Sequence, residues 1–369
     1  MLLYASLIKP SEEMNSVYIT SAPYSLHRAL NGGSLTSSIG ASNKGNSPTS
    51  IFPIFTLIFT AKIIILNLKG IFEDRSLFVK VFLLLGLLFF SFLIHNLLAL
   101  TFVSLFFENG LELFFNHDLT SQTSVNILKI IQFFSAVGTF VTPVLAYGYL
   151  TKFDFGLNIP ITRSWVLLSI ALIILVTPLI SFLIEFSLSL NFPEWMRQFD
   201  KNSDVLILAF LKMENLNDLF VNLLVMAVVP AIGEELFFRG FMQNAFLGFF
   251  KNKHFAIFFT AILFSMIHFH IDGFIPRLFL GAILGYMFFW TKSLWVPIIA
   301  HFTNNSLAII ISYPSFESFK FIQNYNHYGD GLLPETSFNA IFFSLISVSF
   351  ILYLLYSRYK NKHETTIEN

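Results

Sequence analysis

Long apolar stretches recur along most of this chain, near 77–107, 127–149, 164–190, 216–233, 254–271, 274–291, 295–313 and 338–357. A helix needs about 20 such residues to cross the hydrocarbon of a bilayer. Within lipid, only helices and closed barrels satisfy their own backbone polar groups. The stretches are long and continuous instead of short and alternating, which favours helices over barrel strands. The expected fold is therefore all-α: a polytopic transmembrane helical bundle of about eight spans, with the lipid bilayer as its first partner. Composition agrees, because 55% of the residues are hydrophobic and only 12% charged, and a water-soluble core could not hide 48 phenylalanines.

The same composition removes several classes of function. Net charge is zero and no long basic run exists, so nothing in the balance attracts nucleic acid. The chain has no cysteine, which excludes disulfides, thiolate metal sites and thiol nucleophiles. Met1 to Ile8 is apolar but short and is followed by Lys9, Pro10, Glu12 and Glu13, which does not make a cleavable leader.

Four regions follow. Residues 1–66 form a polar N-terminal tail, rich in Ser, Asn, Gly and Thr over 11–50, with a doubtful short apolar segment at 51–66 that carries Lys62. Residues 67–163 hold the first transmembrane helices, 164–313 a catalytic core, and 314–369 a loop, the last transmembrane helix and a basic tail. Basic residues collect in cytoplasmic loops. Lys69, Arg75 and Lys80 precede the first span, while Glu108, Glu112 and Asp118 follow it. Lys152, Arg163, Lys251, Lys253, Lys292, Arg358, Lys360 and Lys362 then fall on the same side as the first group. Both ends of the eight-span core are expected in the cytoplasm, in a multi-pass protein of the cell inner membrane. Arg277, in the turn between spans five and six, fits this scheme poorly. Loops 191–215 and 314–337 belong outside, and the first, with Pro193, Trp195 and Arg197, suits an interfacial helix.

Charged groups at bilayer depth cost at least about 2.5 kcal/mol each, so they invite a functional reading. Glu234, Glu235 and Arg239 follow directly on the apolar run Leu219 to Ile232. Glu235 and Arg239 are four apart and share a helix face, which permits an ion pair; Glu234 is rotated away and left over. The bland alternative is a helix end reaching the interface. His268 lies in span five, and His301 and Asn305, four apart, share a face of span seven. One such histidine is more often a satisfied packing residue than a catalyst, but three clusters on nearby helices weaken that reading. Glu234 and His268 are each about seventeen residues from Lys251, so in an antiparallel hairpin they reach similar height. Other polar features read as structural. Gly281 and Gly285 allow close packing, His95 and Asn96 suit interhelical hydrogen bonds, Glu185 sits near an interface and His254 in a turn. His270 serves packing or the Asp272–Gly273 turn.

Together, Glu-Glu-x-x-x-Arg at 234–239, Phe-x-x-x-His at 264–268 and His-x-x-x-Asn at 301–305 resemble the CAAX-protease and bacteriocin-processing (CPBP) family, in its bacterial form. The resemblance covers roughly 165–313. It implies an eight-helix intramembrane endopeptidase acting on a membrane protein or peptide, with its site inside the bundle and usually open to the cytoplasm. By the same resemblance Glu234 is the general base, His268 positions the water, His301 and Asn305 stabilise the oxyanion, and Glu235 with Arg239 supports the site. No cofactor is expected. Zinc on Glu234, His268 and His301 is the mechanistic alternative, although a His-Glu-x-x-His pattern is absent. Two other classes stand beside this one: a transporter, for which the inverted repeats are missing, and a catalytically silent immunity or binding protein. The residues do not name a substrate.

Overall fold

A computed structural model describes residues 68–116, 119–314 and 337–367. The polar tail with its 51–66 segment, Asp118 and nearly all of the 314–337 loop lie outside the described residues. The chain from Gly70 onward forms a compact unit that holds every helix named below; of a second unit, Lys9–Lys69, only Leu68 and Lys69 are described.

The architecture is a helical bundle, with no strand among the described residues. In chain order the helices are α1 (Leu77–Phe106), α2 (Gly110–Asn116), α3 (Gln122–Thr151), α4 (Arg163–Ser189), α5 (Glu194–Leu211), α6 (Leu216–Phe249), α7 (Lys253–Met266), α8 (Phe274–Thr291), α9 (Trp295–Ile311) and α10 (Phe338–Ile367). Six of them, α1, α3, α4, α6, α8 and α10, are long and apolar enough to cross a membrane. The spans expected near 254–271 and 295–313 are shorter, as α7 has 14 residues and α9 has 17. Ser76 and Ser121 cap α1 and α3, and Asn215 with Asp218 closes a capping box on α6, satisfying the free amides of each first turn.

Proline shapes the two helices at the centre. Lacking an N–H, proline forfeits one backbone bond and its ring crowds the carbonyl four residues back. In α3, a π-helical turn at Val137–Val141 precedes Pro143; in α6, another at Leu223–Val228 precedes Pro230. The wider turns absorb the crowding without breaking either helix. The two helices meet closely at Gly233, where a Cβ would sit 2.9 Å from Cβ of Phe140.

Contacts between the connections show that the helix ends alternate. Lys152, after α3, bridges to Glu73 before α1 at 2.6 Å, and that hydrogen-bonded carboxylate holds its ammonium above the ordinary lysine range. The loop after α3 meets the turn before α9: Gly156 accepts from the Leu294 N–H, and Leu157 from the Trp295 indole. Lys253 and Lys292 lie over the same Phe289 ring, and Arg358 of α10 donates to Ser164 of α4. One end of the bundle therefore gathers Arg75, Lys152, Arg163, Lys253, Lys292 and Arg358. The 191–215 segment forms a helix, α5, whose buried face carries Asp200, Ser203, Leu206 and Phe210 while Trp195, Val205 and Leu208 are exposed.

Candidate active site

A second π-helical stretch, Leu236–Gln243, follows Glu235 in α6, and such widenings recur at functional sites. It aligns Glu235, Arg239 and Gln243 as a stripe, and all three side chains are fully buried. Arg239 Nη1 donates to Glu235 Oε1 at 2.6 Å, as the four-residue spacing predicts. Its Nη2 donates to the Gly281 carbonyl at 3.0 Å, and Gln243 Nε2 to the Gly285 carbonyl at 2.9 Å. The small-residue pair of α8 thus offers backbone acceptors as well as close packing. A Cβ on Gly285 would fall 2.8 Å from both Gln243 Oε1 and Ile257 Cγ2.

His301 joins this stripe from α9. Its Nδ1–H donates to Glu235 Oε1 at 2.8 Å, so one carboxylate oxygen serves both Arg239 and His301. That contact orients the ring and leaves Nε2 3.9 Å from Glu234 Oε2. His268 comes from the end of α7, where its Nδ1–H donates to the Phe264 carbonyl at 2.8 Å and its Nε2 lies 3.8 Å from Glu234 Oε2. Both separations exceed a direct hydrogen bond. Glu234 Oε2 is buried and makes no hydrogen bond among the described residues. Two imidazole nitrogens and one carboxylate oxygen therefore converge without satisfying one another.

Phe264 forms one wall. Its ring meets His268 and His301 edge-on, at 5.2 and 5.9 Å between centroids, and the Arg239 guanidinium lies 4.4 Å above it. Asn305 is placed differently. Its Nδ2 donates to the Met226 carbonyl of α6 at 3.1 Å, and its Oδ1 accepts from Asn304. The amide keeps a second N–H beyond the Met226 contact. The residues singled out from the sequence thus fall into a centre of Glu234, His268 and His301, a support of Glu235 and Arg239, and Asn305 bonded to the same helix as Glu234.

The sequence reading missed Gln243 and the aspartates behind His270. Gln243 was legible as the next step of the 235, 239 stripe. His270 donates from Nε2 to Asp204 and lies 3.6 Å from Asp200, both on α5, and no spacing rule announces a contact 66 residues away. The His95 and Asn96 contacts do run between helices, to Thr142 and Ser135 of α3.

Residues 216–307 match a family model described as Rce1-like, the type II CAAX prenyl endopeptidase Rce1-like family. Over that segment the chain is similar to the Rce1-like family. The match is consistent with the CPBP family and spans all three motifs, from the start of α6 to Asn305 in α9. No curated protein and no solved structure matches the chain. The matched segment lies in a bundle whose apolar helices are long enough to cross a membrane, and it is similar to a family of proteases.

Proposed function

We propose that the protein is an intramembrane endopeptidase in which Glu234 activates water for attack on a peptide bond. The observation that carries the reading is the convergence of His268 Nε2 and His301 Nε2 on an otherwise unpartnered Glu234 Oε2. Glu234 takes a proton from water, the hydroxide oxygen bonds to the carbonyl carbon, and the carbonyl oxygen gains the negative charge. As the C–N bond breaks, Glu234 returns that proton to the leaving amine, giving a carboxylic acid and an amine. His268, fixed through Phe264, presents Nε2 as an acceptor that orients the water.

Donors to the oxyanion come from α9. Because its Nδ1–H is committed to Glu235, His301 donates to the oxyanion from Nε2 only when its ring carries both protons. In that form the charges of Glu234, Glu235, Arg239 and His301 cancel within the buried group. The remaining N–H of Asn305 is the second donor. Such preorganised donors count for most where water is excluded.

Zinc is the competing mechanism, because in neutral His268 and His301 each Nδ1–H is committed elsewhere and Nε2 is free to bind a metal. Among the described residues no three His, Cys, Asp or Glu side chains are disposed to hold a metal ion. In the metal-free reading, purified protein contains no stoichiometric zinc and chelation leaves hydrolysis unchanged. Loss on chelation with recovery on added zinc replaces Glu234 chemistry by that of a metallopeptidase. The basic end of the bundle belongs in the cytoplasm of the inner membrane. The substrate class is a membrane protein or a membrane-associated peptide. Membrane peptides from cells with wild type or Glu234→Ala test this: products present only with wild type support the reading, and identical patterns refute it.

A further inference from the structure

The turn that carries His268 is not held by its own two helices alone. At 1.5 Å per residue the 14 residues of α7 cover about 21 Å, short of the roughly 30 Å of hydrocarbon. Irregular backbone at such depth is tolerated where protein supplies its hydrogen-bond partners. Asp200 of α5 supplies them, as Oδ1 accepts the Ile271 N–H at 2.9 Å and Oδ2 the Asp272 N–H at 2.8 Å. Its side chain is only 3% exposed. His270 completes the clamp, donating from Nε2 to Asp204 at 3.0 Å and accepting the Gly273 N–H at Nδ1. Arg197 lies 3.5 Å from Asp272, and Arg277 donates to the His270 carbonyl.

Between this clamp and His268 sits Phe269, with φ at 45° and 71% of its surface exposed. A left-handed aromatic residue is strained and persists only where its surroundings dictate the backbone. So exposed a ring supplies little packing to hold that shape. The hydrogen bonds hold it, from the His268 and Phe269 amides to α7 on one side and from Asp200 on the other.

We propose that Asp200 is a positioning residue for His268: by clamping the Ile271 and Asp272 amides it keeps the strained Phe269 turn and so sets His268 against Glu234. This rests on the reading of Glu234 and His268 as the hydrolytic pair. The amphipathic helix α5 is then part of the catalytic machinery's frame although it contributes nothing to the reaction centre.

The test uses full-length protein in detergent and a quenched-fluorescent peptide that wild type cleaves. Asp200→Asn keeps the shape but turns an NH2 toward one of the two amides, donor against donor. Amide exchange across 267–273 should accelerate while α9 stays protected, and kcat per folded molecule should fall about 10–100-fold, the scale of a misplaced group, with KM little changed. Adding Phe269→Gly should restore part of kcat, because glycine holds the left-handed turn without strain. A merely structural role would lower the yield and leave kcat per folded molecule unchanged. Unchanged exchange at 267–273, or unchanged kcat, overturns the proposal. Should Asp200→Asn not fold, Asp200→Glu keeps the charge with its oxygens one methylene further out, and the same two readings decide. Glu234→Gln serves as control: if it cleaves like wild type, the hydrolytic reading fails and with it any positioning for catalysis, while the exchange still decides whether Asp200 clamps the turn.

Discussion

Glu235 Oε1 accepts from Arg239 at 2.6 Å and from His301 at 2.8 Å, whereas its neighbour Glu234 has no such bond on Oε2. Adjacent carboxylates with opposite surroundings should fail differently when made neutral. Glu234→Gln preserves volume and removes no hydrogen bond from Oε2, so folded protein should reach normal levels while hydrolysis falls about a hundredfold or more, the lower range for a lost general base. Glu235→Gln strands the buried Arg239 charge, and breaking such a pair costs about 3–5 kcal/mol. Its thermal unfolding midpoint and membrane yield should both drop. Measuring cleavage and unfolding on both variants decides the assignment; a stable but inactive Glu235→Gln beside an active Glu234→Gln reverses it. The Glu235–Arg239 pair was legible in the sequence because i,i+4 spacing acts within one helix. The Glu235–His301 bond was not, since it depends on how α6 and α9 dock, which no local pattern encodes.

At the scale of helices, α8 is fitted to α6 and α7 through residues without side chains. Arg239 and Gln243, one turn apart, each donate to a glycine carbonyl one turn apart on α8. A methyl at position 285 would meet Gln243 Oε1 and Ile257 at 2.8 Å, and Gln243 is held by the Gly285 carbonyl beneath it. Gly285→Ala should therefore destabilise the bundle by about 1–3 kcal/mol, as overpacking of a close contact does, read as a lower unfolding midpoint in detergent. An unchanged midpoint would mean that Gln243 moves aside freely. Hydropathy located these helices but overran their ends. Ile267 and Phe269 extend the apolar run past Met266, yet Phe269 is left-handed and α7 has already stopped. Apolar residues continue past the last helical turn, so composition alone does not mark where the helix ends.

For the molecule as a whole, direction of travel decides how many helices traverse the bundle. α7 and α9 are too short to qualify by length, but their neighbours fix their course. Lys253 at the start of α7 and Lys292 just after α8 share the Phe289 ring, while Trp295 at the start of α9 bonds to the loop after α3. Arg358, late in α10, reaches Ser164 at the start of α4. α8 and α10 therefore both run toward the same end, and α7 and α9 must run away from it. The opposite end carries Glu108, Glu112, Glu194, Glu214 and Asp218 beside Lys201, which pairs with Glu194, and Lys212, with Arg197 and Arg277 turned to partners inside the protein. Because short loops rich in lysine and arginine stay in the cytoplasm, reporters fused after Lys152, Lys253 and Arg358 should report cytoplasm, and one fused after Glu112 the outside. The three inside positions test separate pairs of helices, so a failure at one localises the error. If the reporter after Lys253 alone lies outside, α6 does not complete its crossing, and Glu234 cannot sit at the depth that His268 and His301 require. If all four invert together, the bundle stands with its order intact and the hydrolytic site faces the other side of the membrane.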